Sequence, residues 1–229
     1  MLAAPALPPV SPTCLHTSAR SGQKDLYPFL ADTLTAAGYI VVIPDFAKYP
    51  AVKFPGMMDD AAQAAVWTSK NIAAYGGDSA RLYLMGHSSG AHMGAMLVSD
   101  AQYLRKHASS PAIIRAFVGL AGPYAFVPEE RDLKDLFNSP EGNAAIYVPN
   151  FITGKEPPML LLHGANDTTV GLFNLTLLEK AIKDKGGMVE TKLYPGIAHI
   201  GIIGDFAWIA RDSVFVKDTL AFFEKNQPR

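Results

Sequence analysis

Leu82-Tyr83-Leu84-Met85-Gly86-His87-Ser88-Ser89-Gly90-Ala91-His92 is the stretch on which the reading of this chain turns. Four apolar residues make a short buried strand, and an Ala- and Met-rich run from Ala91 makes a helix. Between them Gly86-His87-Ser88-Ser89-Gly90 has the pattern G-x-S-x-G. A serine at such a junction stands on a sharp turn at the C-terminal edge of a sheet. Glycines two residues to either side remove the Cβ atoms that would clash there. The helix that follows aims its first N–H groups at the serine, which favours developing negative charge. Ser88 is therefore the candidate nucleophile. Ser89, which is not central between the glycines, supplies a backbone N–H as a candidate oxyanion donor.

Strand and helix patterns alternate on both sides of this turn. Helices are expected over Asp25–Ala37, Met57–Tyr75, Ala91–Leu104, Val170–Lys185 and Asp205–Lys225. Short apolar strands are expected over Tyr39–Ile43, Arg81–Met85, Ile113–Leu120, Met159–His163 and Val189–Tyr194. Nearly pure apolar strands separated by helices imply an α/β fold with a doubly wound, mostly parallel sheet covered on both faces. One domain over residues 1–229 suits the length. Residues 123–158 break the rhythm, mixing charge with Phe126, Leu133, Phe137 and Tyr147. A connection that long is usually functional, and a small cap over a site is expected. Tyr124 and Phe126 are its candidate substrate-binding residues.

A serine hydroxyl needs a base to take its proton, and the base needs an acid to orient it. Two residues stand in loops just past strands, so they open on the same sheet edge as Ser88. Asp167 closes Leu160-Leu161-Leu162-His163-Gly164-Ala165-Asn166-Asp167, and His199 closes Leu193-Tyr194-Pro195-Gly196-Ile197-Ala198-His199. Asp167 also suits the role of a helix cap. Asp205 is a rival acid, but it follows the histidine and suits a cap for the last helix. His163, at a strand end, suits a local hydrogen bond, and His87 and His92, which flank the nucleophile, suit packing or orientation roles. No His/Cys pair has zinc-ligand spacing, so a metal site is not expected.

Composition narrows the partners. The chain is 49% hydrophobic and 18% charged with a formal net charge of −1. That gives no field to recruit nucleic acid or an anionic membrane. The single cysteine, Cys14, cannot form an intrachain disulfide. No apolar run reaches the roughly 18 residues of a membrane span. Met1–Pro12 holds four prolines and no basic n-region, unlike a signal peptide. A cytoplasmic protein acting on a small molecule is expected, with its oligomeric state left open.

These stretches together resemble the α/β-hydrolase carboxylesterases of the hormone-sensitive-lipase-like and feruloyl/acetyl esterase-like branch, near the kynurenine formamidases. The resemblance rests on Gly38–Asp45, Tyr49-Pro50, Tyr75–Asp78, Gly86–His92, Leu161–Asp167 and Tyr194–Gly201. It implies an eight-stranded sheet and cofactor-free hydrolysis of small acyl or aryl esters or related amides. It also places Ser88, Asp167 and His199 on the family's triad positions.

One segment departs from that family. Where an apolar strand and a His-Gly-Gly oxyanion loop are expected, this chain reads Leu15-His16-Thr17-Ser18-Ala19-Arg20-Ser21-Gly22. Proline is excluded from central strands, so the N-terminal strands are expected to be reduced, residues 1–20 to be atypical, and the family's central strand to be lost. Further oxyanion donors are then expected from Thr17 or Ser18. Two functions follow as alternatives: a serine carboxylesterase, or a catalytically impaired hydrolase-fold protein that binds a ligand or partner.

Overall fold

The computed structural model describes residues 28–137, 142–204 and 213–228, together with the backbone of 11–15. Among them, five strands form one parallel sheet: β1 (Ser11–Leu15), β2 (Leu82–His87), β3 (Ala116–Leu120), β4 (Met159–Gly164) and β5 (Val189–Tyr194), side by side in that order. Leu84 pairs with Thr13 on one side and Phe117 on the other, and Leu160 pairs with Val118 and Glu190.

The apolar runs explain why the middle strands are central. Every residue of β2, β3 and β4 is buried. Alternation along a strand sends neighbours to opposite faces, and two cores result. Leu82, Leu84, Phe117, Met159 and Leu161 join one core with α2 (Phe54–Asn71), α3 (Ser89–Ser99) and α6 (Phe173–Asp184). Tyr83, Met85, Val118, Leu160 and Leu162 join the other with α1 (Pro28–Ala36) and α8 (Val214–Lys225). β5, at the far edge, is half-buried or exposed from Val189 to Leu193, and its Glu190 carboxylate accepts a 2.7 Å hydrogen bond from Lys225. Three short helices complete the set: α4 (Gln102–Arg105), α5 (Arg131–Leu136) and α7 (Gly201–Gly204).

Two expectations need correction. The Pro-bearing segment was expected to lose its strand, yet Ser11–Leu15 pairs in parallel with β2 and carries Pro12. Among the described residues β1 has one ladder partner, and an edge position is where a sheet tolerates a residue without an N–H. Five strands lie in the sheet among the described residues, and the Tyr39–Ile43 run, expected as a strand, carries only isolated bridges at Tyr39 and Val42. The last helix is described from Val214, so its expected start and Asp205 lie outside the described residues.

The segment 123–158 contains α5 and two 3-10 turns over Gly142–Ile146 and Val148–Phe151. Its Leu136, Phe137, Ile146 and Val148 pack into the same core as α2 and α3. No helix among the described residues is long and apolar enough to cross a membrane.

Candidate active site

β2 ends at His87 and α3 begins at Ser89, so Ser88 alone makes the turn between them. It does so at φ 55°, ψ −124°, a backbone conformation that costs a non-glycine residue energy. Two contacts hold it there. The Ser88 N–H donates to the Leu120 carbonyl at 2.9 Å, and the His92 N–H closes the first helical turn on the Ser88 carbonyl at 3.1 Å. Gly86 makes the turn sterically possible, since a Cβ there would lie 2.4 Å from the Gly90 carbonyl oxygen. A side chain at residue 86 would separate β2 from α3.

β4 and β5 deliver the partners. Gly164 ends β4, and a Cβ on it would lie 2.3 Å from the Ile197 carbonyl oxygen. Its absence lets the two loops run together, with Ala165 N–H donating to Tyr194 at 2.9 Å and Asn166 N–H to Ile197 at 2.9 Å. His199 Nδ1 then lies 2.8 Å from Asp167 Oδ2, and His199 Nε2 lies 2.9 Å from Ser88 Oγ. A carboxylate only accepts, so Nδ1 carries the proton and Nε2 presents its lone pair to the serine hydroxyl. This arrangement can draw a proton from Ser88 and hold the resulting imidazolium against a carboxylate.

The two carboxylate oxygens of Asp167 have different partners. Oδ2 faces His199, while Oδ1 accepts the N–H groups of Thr169 at 2.9 Å and Val170 at 2.8 Å. Oδ1 caps a turn and not a helix, since α6 starts only at Phe173. Burial alone would push this carboxyl up. The Val170 N–H, His199 and the Thr169 N–H outweigh it and hold the group below the usual carboxylate range.

Ser88 and Ser89 open into a cavity of about 430 Å³. Its wall is mainly apolar, from Phe126, Leu133, Leu136 and Phe137 on one side and Val170 and Phe173 on the other. Of the two aromatics expected at a substrate, Phe126 lines this cavity and Tyr124 does not. Tyr124 is 1% exposed in the core, with its ring folded against Gly119 and Gly122. Two α-carbons without side chains leave the space the ring occupies. Phe137 lines the wall, whereas Tyr147 does not. The Ser89 N–H opens α3 and is one of the helix's N-terminal donors without a helical acceptor. Thr17 and Ser18 lie outside the described residues.

The sequence reading missed Asn174, which is 1% exposed. Its side chain accepts from the Ala125 N–H at 2.8 Å and donates to the Gly171 carbonyl at 3.0 Å. It thus ties α6 to the loop that carries Phe126. A lone Asn in a helical pattern gives no sign of such a role. His92 is buried, its Nε2 2.7 Å from the Ile146 carbonyl, and burial lowers it to about 4. Among the described residues, no group of three His, Cys, Asp or Glu side chains could hold a metal ion.

With this geometry in hand, comparison with known proteins places the chain. The BD-FAE family model matches residues 14–182, most of its length. The chain belongs to the BD-FAE family. A probable isoprenylcysteine alpha-carbonyl methylesterase, ICMEL2 of Arabidopsis thaliana, is 33% identical over 192 residues, covering 70% of this chain and 43% of that protein. Isoprenylcysteine alpha-carbonyl methylesterase ICME of Arabidopsis thaliana is 29% identical over 200 residues, 78% of this chain and 47% of that one. Esterase LipQ of Mycobacterium tuberculosis is 26% identical over 183 residues, 70% of this chain and 42% of its own. This BD-FAE chain therefore spans about half the length of the curated relatives it matches. Esterase Est2 of Thermogutta terrifontis superposes with a TM-score of 0.77 at 21% identity, covering 97% of this chain and 82% of that one, and shows that the two share the α/β-hydrolase fold.

Proposed function

We propose that this chain is a serine carboxylesterase that hydrolyses small acyl or aryl esters through Ser88, His199 and Asp167. The observation that carries this reading is the unbroken chain of hydrogen bonds from Asp167 through His199 to Ser88 at the mouth of an apolar cavity. The esterase and methylesterase names of the relatives support ester hydrolysis as the reaction class.

The chemistry follows from the geometry. His199 Nε2 takes the Ser88 proton as Oγ attacks the ester carbonyl, and Asp167 stabilises the imidazolium through Nδ1–H. Negative charge on the former carbonyl oxygen falls at the N-terminus of α3, where the Ser89 N–H donates. A further donor is expected from Thr17 or Ser18. His199 then protonates the leaving alcohol. A water takes its place and gives its proton to the same nitrogen as its oxygen bonds the acyl carbon; the bond to Oγ then breaks, His199 returns the proton to Ser88, and the carboxylic acid leaves. The apolar wall from Phe126 to Phe137 takes the acyl or aryl group and excludes water around it.

The test is turnover of p-nitrophenyl acetate and p-nitrophenyl butyrate by purified protein beside Ser88→Ala. Turnover that vanishes in the variant supports the reading. Equal rates for two well-folded proteins would remove it and leave ligand binding by a silent hydrolase fold as the better account.

A further inference from the structure

His87 and His163 occupy matching places in the fold. One ends β2 and the other stands next to the end of β4, the two strands that lead to Ser88 and Asp167. Both are almost fully buried, at 2% and 1% exposed. Each makes the same kind of contact. His87 Nε2 lies 2.9 Å from the His199 carbonyl oxygen, and its ring centroid is 4.7 Å from that of His199. His163 Nε2 lies 2.9 Å from the Val170 carbonyl oxygen and 3.7 Å from Asp167 Oδ2. Val170 is the residue whose N–H holds the other Asp167 oxygen.

A carbonyl oxygen only accepts, so in both rings Nε2 carries the hydrogen. Nδ1 is then a bare acceptor, and among the described residues neither His87 Nδ1 nor His163 Nδ1 has a hydrogen-bond partner. A buried polar atom without a partner among the described residues calls for a reason, and these two stand beside the base and beside the acid. Packing alone would be served better by an apolar ring. Burial holds both imidazoles below their ordinary range. A neutral His87 also leaves His199 free to become cationic, which a second charge at that distance would oppose.

We propose that His87 and His163 are positioning residues of this site, His87 fixing the backbone of His199 and His163 fixing the turn of Asp167 through Val170. The proposal rests on the assignment of Ser88, His199 and Asp167 as the reacting groups. Each brace ties the end of a rigid central strand to the loop that must present its side chain within hydrogen-bond reach. A small misplacement of either loop would open the contact between His199 and its neighbours.

The experiment compares His87→Gln, His87→Phe, His163→Gln and His163→Phe with the unaltered protein. Glutamine keeps an N–H donor at similar reach and phenylalanine keeps the ring volume. In p-nitrophenyl butyrate hydrolysis, each Phe variant is expected to lose on the order of 10²-fold in kcat at nearly unchanged KM. Each Gln variant is expected to recover most of it. The low-field proton resonance of His199 Nδ1–H bound to Asp167 is expected in the unaltered protein and the Gln variants, and is expected to broaden or vanish with Phe. Asparagine, a donor of shorter reach, replaces Phe wherever that variant does not fold. Folded Phe or Asn variants with full kcat and an intact resonance overturn the proposal, and so do Gln variants as impaired as Phe. An unaltered protein that turns over no ester removes the esterase reading instead, and the resonance then decides the bracing on its own.

Discussion

His199 reaches Ser88 across 111 residues of chain, Nε2 to Oγ at 2.9 Å, because two parallel strands end at the same edge of one sheet. The contact gives a direct expectation. Ser88→Ala should lower kcat for p-nitrophenyl butyrate by about 10⁴–10⁶-fold. Asp167→Asn should lower it by about 10⁴-fold, because an amide next to His199 Nδ1 favours the tautomer that points a proton at Ser88. Steady-state kinetics on folded variants checks both. A variant retaining a tenth of the activity would exclude the assigned role.

Gly86→Ala should damage the turn itself. The new Cβ meets the Gly90 carbonyl at 2.4 Å and the Ala91 nitrogen at 2.7 Å, both backbone atoms that cannot swing aside. A cost of about 3 kcal/mol is expected, which for a chain of this size lowers Tm by about 10 °C. Calorimetry reads the shift, and esterase activity should fall with it.

The cavity wall should set substrate size. Leu133 lines it beside Phe126 and Phe137. Leu133→Trp fills part of that space, and kcat/KM for p-nitrophenyl octanoate should drop by about tenfold while the acetate is little affected. Equal loss across an ester series from acetate to octanoate would show that the acyl group lies elsewhere.

Asn174→Ala should loosen the wall from behind. It strands the Ala125 N–H, a backbone donor on a residue only 5% exposed. A loss of about 1–3 kcal/mol is expected. Urea denaturation should show a lower midpoint at an unchanged slope.

Stability should fall in mild acid. His87 and His92 are both lowered to about 4 by burial from an ordinary 6.5. Between those values the unfolded chain binds protons that the native protein refuses, so stability drops as pH falls from 6.5 towards 4, by on the order of 3 kcal/mol for each ring. Asp167 acts in the same direction further down. Its carboxyl is held below 3.8, so the stabilisation it gives at neutral pH is lost as pH falls from the unfolded value through the folded one. Thermal melts from pH 7 to pH 4 check the slope. A Tm that is flat across that window would show that the rings titrate normally.

Much of this was legible in the residues. The apolar run 82–85 against Gly86 and Gly90 forces a strand to turn abruptly into a helix, and the structure places that turn at Ser88 with φ 55°. Strand order followed less well. Pro12 argues against a central strand, which is a statement about two flanks, but only the sheet shows that Ser11–Leu15 pairs with β2, its one strand neighbour among the described residues. The boundary of the third helix was similarly blurred. Asp100 ends α3 at Ser99 and a second short helix begins at Gln102, a break that the apolar spacing does not announce.

By itself, the sequence determined the parallel α/β layering and the three residues at the sheet edge, because continuous apolar runs and the ends of strands are local properties. Only the tertiary structure decided what surrounds them. Tyr124 and Phe126 sit two positions apart in one loop, yet one ring folds over Gly119 and the other faces the cavity. The division depends on which neighbours lack side chains in strand β3 and on where Asn174 of α6 grips the loop. The grip of Asn174 on Ala125 spans 49 residues of chain, and the fold of Tyr124 onto Gly119, though local, depends on how β3 meets the loop that follows it.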